Sequence, residues 1–278
     1  MNERTFSFNG FTLKAIESGR GQERVIVALH GWLDNAATFN ELRKHFTDYH
    51  FIALDLAGHG LSDHRPPQMP YYIWDNVSDL LEVIEQLNTA KVTLIGHSMG
   101  ASVASLFASA FPDRIDKLFL IDGLAPVIYK TDELPEQLTA AILKRRKMAD
   151  KSLRPYDDVE SAVQARMRGR WPVTRQGAEW LVERGLKRVD EGYVWRSDPN
   201  LMLPSLVRFS EDQVRAFLAN IPHAVRLYLG DGGIYEDVWR ERIDLMQNVS
   251  FVTLAGGHHL HLEPNAAQEI ATDIKVQI

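Results

Sequence analysis

The chain has no cysteine in 278 residues. Disulfides, thiolate zinc sites and a cysteine nucleophile are therefore excluded. It has no apolar run near the ~20 residues that span a bilayer. Its opening residues, Met1-Asn2-Glu3-Arg4-Thr5, lack the apolar stretch of a secretory signal. Neither an internal repeat nor a low-complexity segment is present. There is no basic excess: 31 Lys and Arg against 37 Asp and Glu give a net charge of -6, which argues against nucleic-acid binding. The expectation is a cytoplasmic protein, monomer or homodimer, that acts on a small molecule and engages neither nucleic acid nor membrane. A hydrophobic content of 45% can fill one large α/β domain, or a core plus an insertion.

What is present is a set of short apolar runs, each ending in a turn or a polar residue. Phe6–Phe8 and Leu13–Glu17 predict a hairpin around Asn9-Gly10, a pair suited to positive φ. Val25–Leu29 ends at His30-Gly31, Phe51–Leu54 at Asp55, and Leu118–Ile121 at Asp122. Val225–Leu229 ends at Gly230-Asp231, and Phe251–Leu254 at Ala255-Gly256-Gly257-His258. Runs apolar on both faces predict buried parallel strands. Helical patterns separate most of them, at Trp74–Leu87, Ala101–Phe111 and Asp237–Met246. The alternation predicts an α/β fold with a mostly parallel sheet. Polar residues gather just past the C-terminal strand ends, the edge where such sheets bind ligands.

The alternation breaks after Asp122. Residues 123–206 hold helical patterns at Glu133–Ala149, Asp157–Arg168 and Thr174–Val189, then a short extended piece at Tyr193-Val194-Trp195. The core pattern resumes with a helix opened by the capping box Ser210-Glu211-Asp212-Gln213. This divides the chain into a core, 1–122 with 207–278, and a helical cap, 123–206, inserted after a core strand. The basic run Lys144-Arg145-Arg146-Lys147 reads as a solvated helix face.

The sharpest signal is Ile95-Gly96-His97-Ser98-Met99-Gly100. It follows the apolar run Val92–Ile95 and leads into a small-residue helix. G-x-S-x-G in that context holds Ser on a strained strand-to-helix turn with its hydroxyl exposed. The helix N-terminus then faces the place where an anionic intermediate forms. A serine nucleophile needs a base and a group that orients the base. The base is expected in Gly256-Gly257-His258-His259-Leu260-His261. His258, nearest the strand end, is chosen over His259 and His261. A metal reading of H-H-x-H with Glu263 fails, because no helical i,i+4 pair and no further His/Asp cluster completes it. Two carboxylates stand at strand ends as candidate acids, Asp122 and Asp231. The oxyanion donors are expected to be the N–H of Met99 and, from Leu29-His30-Gly31-Trp32-Leu33, the N–H of Trp32. Trp32, Met99, Leu124 and Trp195 are candidate substrate-binding residues. Asp55 in Asp55-Leu56-Ala57-Gly58-His59-Gly60-Leu61-Ser62 reads as a loop scaffold, with His59 only a minor catalytic candidate.

Together, His30-Gly31-Trp32, the Asp55–Ser62 loop, the Ser98 elbow and the His258 loop resemble the α/β-hydrolase superfamily. More narrowly, His30 through Ala36, Gly58 through Ser62, Pro70-Tyr71-Tyr72 and Leu181-Val182-Glu183-Arg184-Gly185 resemble the serine hydrolase-like protein family. The resemblance implies an α/β-hydrolase fold with a cap after the sixth strand, a Ser-acid-His triad, acyl-enzyme chemistry on a small ester, and neither cofactor nor metal. The superfamily's usual acid lies in a G-D-x-D pattern, but here that stretch is Gly230-Asp231-Gly232-Gly233. Some members carry the acid one strand earlier, where Asp122 stands. The resemblance therefore implies Ser98, Asp122 and His258, with Asp231 the alternative acid. A carboxylesterase is the expected activity. Thioesterase, lactonase or carbon–carbon hydrolase chemistry, or a non-catalytic sensor, are the alternatives.

Overall fold

The computed structural model describes residues 2–66, 69–148, 154–234 and 237–278. Strand β1 (Asn2–Phe8) turns back at Asn9-Gly10, both at positive φ, into β2 (Phe11–Ser18). Then follow β3 (Val25–Leu29), β4 (His50–Leu54), α1 (Asp75–Gln86), β5 (Val92–His97), α2 (Met99–Ala110) and β6 (Ile115–Ile121). After β6 the chain leaves the sheet. It forms α3 (Leu134–Met148), α4 (Val159–Met167), α5 (Arg175–Gly185) and the hairpin β7 (Leu186–Val189) and β8 (Gly192–Trp195). It returns through α6 (Glu211–Ala219) to β9 (Val225–Gly232), α7 (Asp237–Ile243), β10 (Val249–Gly257) and α8 (Pro264–Gln277).

The eight-stranded sheet runs β1-β2-β4-β3-β5-β6-β9-β10. Only the β1–β2 and β2–β4 pairings are antiparallel. Of the strands expected to be buried, Val25–Leu29 and Val92–His97 are buried at every residue, but Phe251–Leu254 has no buried residue, because β10 is the edge strand of the sheet. β3 sits between β4 and β5, so the chain order reverses direction there. The crevice outside that reversal is where open α/β sheets place ligands, and both the His30 loop and Ser98 emerge from it.

Two apolar layers cover the sheet. One packs α1, α2 and α6 on Val27, Leu29, Leu94 and Leu120; the other packs α8 and the 36–46 segment on Ile26, Ala28, Ile95 and Phe119. Helix α2 lies so close to β3 that a Cβ on Gly100 would fall 2.1 Å from the Leu29 carbonyl oxygen. The Ser210–Gln213 capping box is present at α6. Among the described residues no helix is long and apolar enough to cross a membrane.

The excursion between β6 and β9 has its own apolar cluster, including Ala162, Val163, Ala178, Leu181 and Leu186, seated on Leu262 of the core. One expected helix is shorter than its sequence pattern. Instead of running to Val189, α5 stops at Gly185, and Leu186 turns extended to pair with Trp195. The Trp195 ring lies against Gly185, where a Cβ would meet it at 3.0 Å, so hairpin packing overrides helical periodicity. On α3, Lys144, Arg146 and Lys147 are exposed, while Arg145 reaches the Pro204 carbonyl at 3.3 Å.

Candidate active site

Ser98 has φ 51° and ψ -116°, a conformation that L-residues adopt only under strain. Its N–H donates to the Ile121 carbonyl at 3.0 Å, and its own carbonyl accepts from Ala101 and Ser102 at the start of α2. The elbow is thus pinned from β6 and from the helix it opens. The His30 loop lies against it: a Cβ on Gly31 would sit 3.1 Å from the Ser98 Cβ. Any larger residue would push this loop, and with it the Trp32 N–H, away from the nucleophile. Met99 is the first residue of α2.

His258 follows β10 directly and is almost fully buried. Its Nδ1 donates to Asp122 Oδ2 at 2.6 Å, which leaves Nε2 as the basic nitrogen. Asp122 also accepts the N–H groups of Gly230 at 3.2 Å and Ile234 at 2.9 Å. Hydrogen-bond donors thus surround the carboxylate and fix its orientation in a fully buried place. The missing second Asp of the G-D-x-D pattern now has a physical counterpart. A Cβ on Gly233 would fall 2.2 Å from Asp122 Oδ1, so the glycine vacates the space that the Asp122 carboxylate fills. Asp231 is exposed and accepts the Gly256 N–H at 2.9 Å. The structure brings Asp122, and not Asp231, to His258.

The other histidines have structural partners. His59 Nε2 accepts the Leu33 N–H at 3.2 Å, and its Nδ1 donates to the Ala57 carbonyl at 2.9 Å. Burial lowers it to about 3, so it stays neutral and shapes the loop after Trp32, where Leu33 is at positive φ. His30 does the same for Leu56 and Gly31, and burial lowers it to about 4. Asp55 accepts from Ala36 at 2.7 Å and Leu61 at 2.8 Å, as its loop position predicts. It also takes Arg184 Nε at 2.9 Å from α5. Burial pushes the Asp55 carboxyl up, and Arg184 opposes that shift.

Of the four expected substrate contacts, two lie at the elbow and two do not. Trp32 is 52% exposed, and its indole N–H donates to the Leu201 carbonyl at 3.1 Å. Met99 is half-buried beside Ser98. Leu124 is instead fully buried in the core layer, and its carbonyl accepts the Ser105 hydroxyl at 2.7 Å. Trp195 packs inside the excursion, edge-on to Tyr156. Leu124 leaves the candidate set because its side chain is spent on core packing, whereas Trp195 is only half-buried and stays in it.

Sequence reasoning missed a second cluster beside the base. Asp34, His97 and His259 each offer a ligand atom within 4.8 Å of one another. Asp34 is far from the histidines in sequence, so no local spacing revealed it. The Arg166 guanidinium from α4 bonds the same carboxylate. A permanent cation there opposes a divalent metal, so the group is read as an ion-pair network. Burial alone would raise the Asp34 carboxyl, but Arg166 and His259 outweigh it and hold it well below the usual range. Trp171, also from the excursion, has its ring 5.0 Å from that of His258.

The comparisons with known proteins agree with this architecture. A family model described as the α/β hydrolase fold matches residues 24–147. A serine hydrolase-like protein of Danio rerio is 31% identical over 276 residues, covering 92% of this chain and 82% of its own. A serine hydrolase-like protein of Mus musculus is 30% identical, covering 88% of this chain and 85% of its own. The crystal structure of a hypothetical protein from Pseudomonas aeruginosa PAO1 superposes with a TM-score of 0.94 at 38% identity, over 99% of both chains. The thioesterase domain from the curacin biosynthetic pathway shares the fold, with a TM-score of 0.88 at 24% identity over 99% of both chains. With the elbow, the strand order and these relatives in agreement, the chain belongs to the family of serine hydrolase-like proteins and has the α/β-hydrolase fold.

Proposed function

We propose that the protein is a serine hydrolase that cleaves a small or medium acyl ester through an acyl-enzyme, with Ser98 as nucleophile, His258 as base and Asp122 as the orienting acid. The observation that carries this reading is the 2.6 Å contact from His258 Nδ1 to a buried Asp122, with the strained Ser98, at φ 51°, next in sequence to His97, whose ring lies 4.6 Å from that of His258. His258 Nε2 takes the Ser98 hydroxyl proton as Oγ attacks the ester carbonyl. The N–H groups of Met99 and Trp32 receive the oxyanion. As the intermediate collapses, the carbon–oxygen bond to the alcohol breaks and His258 Nε2–H protonates the departing oxygen. Water then loses a proton to the same nitrogen, attacks the acyl carbon and frees Ser98.

The excursion, residues 123–206, acts in this reading as a cap that brings Trp171 over the base. Trp32 and Met99 form the core side of the acyl pocket. The absence of a side chain at Gly233 supports this reading, because it makes room for the Asp122 carboxylate.

The test is hydrolysis of a p-nitrophenyl ester series from short to medium chains, with Ser98→Ala alongside. The expected result is turnover with a clear chain-length optimum, lost in Ser98→Ala. A wild type that turns over no ester and is not labelled by a fluorophosphonate at Ser98 overturns the reading.

A further inference from the structure

We propose that Asp34 and Arg166 are positioning residues, a buried ion pair through which the cap fixes the catalytic base from beneath. The inference rests on the serine-nucleophile reading above and adds to it a second carboxylate that never touches substrate.

Asp34 lies two residues past Trp32, on the loop that carries the expected oxyanion donor, and is buried. One of its oxygens takes the Arg166 guanidinium; the other faces His259 Nε2 at 3.0 Å and His97 Nδ1 at 3.8 Å. The two rings flank the reacting groups in sequence: His97 precedes Ser98, and His259 follows His258. His97 Nε2 donates to the main-chain carbonyl of His258 at 2.9 Å. The base is therefore held twice, its ring by Asp122 and its backbone by His97.

The proton positions follow from the partners. His97 Nε2 meets a carbonyl, so it carries the proton, and Nδ1 is left as an acceptor. His259 Nδ1 has no hydrogen-bond partner among the described residues. A proton there would be buried and unpaired, so it belongs on Nε2, where Asp34 accepts it. Burial holds His97 and His259 neutral. Two neutral rings do not balance a buried carboxylate, and the compensating charge comes from Arg166. That arginine sits 132 residues away in sequence, on α4 of the cap. Its Nη2 also approaches His259 Nε2 to 3.2 Å, two donors brought side by side by the carboxylate they share. Cap, oxyanion loop and base loop thus converge on one carboxylate, while His97 Nδ1, an acceptor without a hydrogen-bond partner among the described residues, faces it at 3.8 Å without bonding it. Leu262, four residues past His258, sits in the cap's apolar cluster and reinforces the same junction.

The experiment measures fluorophosphonate labelling of Ser98, separating the limiting rate from the half-saturating concentration. Removing one charge alone leaves its partner buried and can unfold the chain, so the main variant is the double change Asp34→Asn with Arg166→Met. It removes both charges at similar volume. The expected result is a folded protein whose limiting rate falls about fivefold or more, while half-saturation stays within about twofold; one hydrogen bond's worth of misplacement gives a drop of that order. Arg166→Lys, which keeps the charge, recovers part of the rate. A folded double variant that labels at the wild-type limiting rate overturns the proposal. So does a change confined to half-saturation, which would make Arg166 a binding contact. If the double variant fails to fold, Arg166→Lys and Arg166→Gln decide: equal limiting rates in the two overturn it, and a faster Lys variant upholds it. Wild type that does not label at all counts against the serine-nucleophile reading instead.

Discussion

His258 and His259 are neighbours in sequence, and each meets a buried aspartate, yet the two pairs are built for different work. His258 gives Nδ1 to Asp122 at 2.6 Å and keeps Nε2 for chemistry. His259 gives Nε2 to Asp34 at 3.0 Å, and its other nitrogen faces no partner. Asp122 is held by backbone N–H groups of the core, Asp34 by an arginine from the cap. A carboxylate set among main-chain donors is as rigid as the sheet that supplies them. One held by an arginine from α4 depends on how that helix packs. The first pair suits a reaction and the second suits an alignment.

The comparison breaks most visibly at the first pair. Asp122→Asn is expected to lower ester turnover on the order of 10⁴-fold, because an amide no longer holds the imidazole in its productive tautomer. Asp231→Asn is expected to leave turnover unchanged, since its contact is to the Gly256 N–H. Rates of the two variants side by side check this, and equal rates would dissolve the assignment of the acid.

Gly233→Ala is a subtler break at the same place. The new methyl collides with Asp122 Oδ1. Displacing a packed group costs about 2 kcal/mol, or about thirtyfold in turnover if the dyad bears it. The crystal structure of that variant and its ester kinetics check it; an unmoved carboxylate with full activity would contradict it.

At the second pair, His259→Gln keeps an amide that can donate to Asp34. The expected loss is about 1 kcal/mol, the worth of one hydrogen bond, so turnover falls less than about tenfold. His258→Gln under the same assay loses the base and is expected to be inactive.

The effect furthest from turnover is on stability against acid. His30, His59, His97, His259 and His261 are all buried and lowered from 6.5, chiefly by burial. The unfolded chain therefore takes up protons first as pH falls below about 6.5. Their stability contribution is whole above that pH and is lost as it falls toward the folded values, near 4 for His30 and near 3 for His59. His30 alone accounts for about 2 kcal/mol at pH 5 by linkage. Asp79, raised to about 6 by burial, and Asp55, also raised, work the other way, two groups against five. The urea midpoint is expected to fall between pH 7 and pH 5; a flat profile would mean the buried rings are already charged.

Much of the fold was legible along the chain. Val25–Leu29 and Val92–Ile95 are apolar on both faces and form buried parallel strands, whereas the similar run Phe251–Leu254 lies on the sheet edge and stays partly exposed, a placement its sequence does not show. The elbow was legible because its glycines and its small-residue helix are adjacent in sequence. The end of α5 was not: only the Trp195 ring against Gly185 decides it. Leu124 and Trp195 read as pocket residues from their type, while their burial depends on what packs over them. The Gly230-Asp231-Gly232-Gly233 stretch was readable as a departure from pattern, and its meaning appeared only when Asp122 was seen in the space beside Gly233.

By itself the sequence determined the strand order of apolar runs, the strained serine and the histidine-rich loop, because periodicity, turn chemistry and small residues act over a few positions. Tertiary structure alone decided which carboxylate meets which histidine. His258 joins Asp122 across 136 residues, His259 joins Asp34 across 225, and Arg166 reaches Asp34 across 132. Local preference has no term for such distances. They are set where the sheet edge, the base loop and the cap close on one another and each buried charge must find a partner.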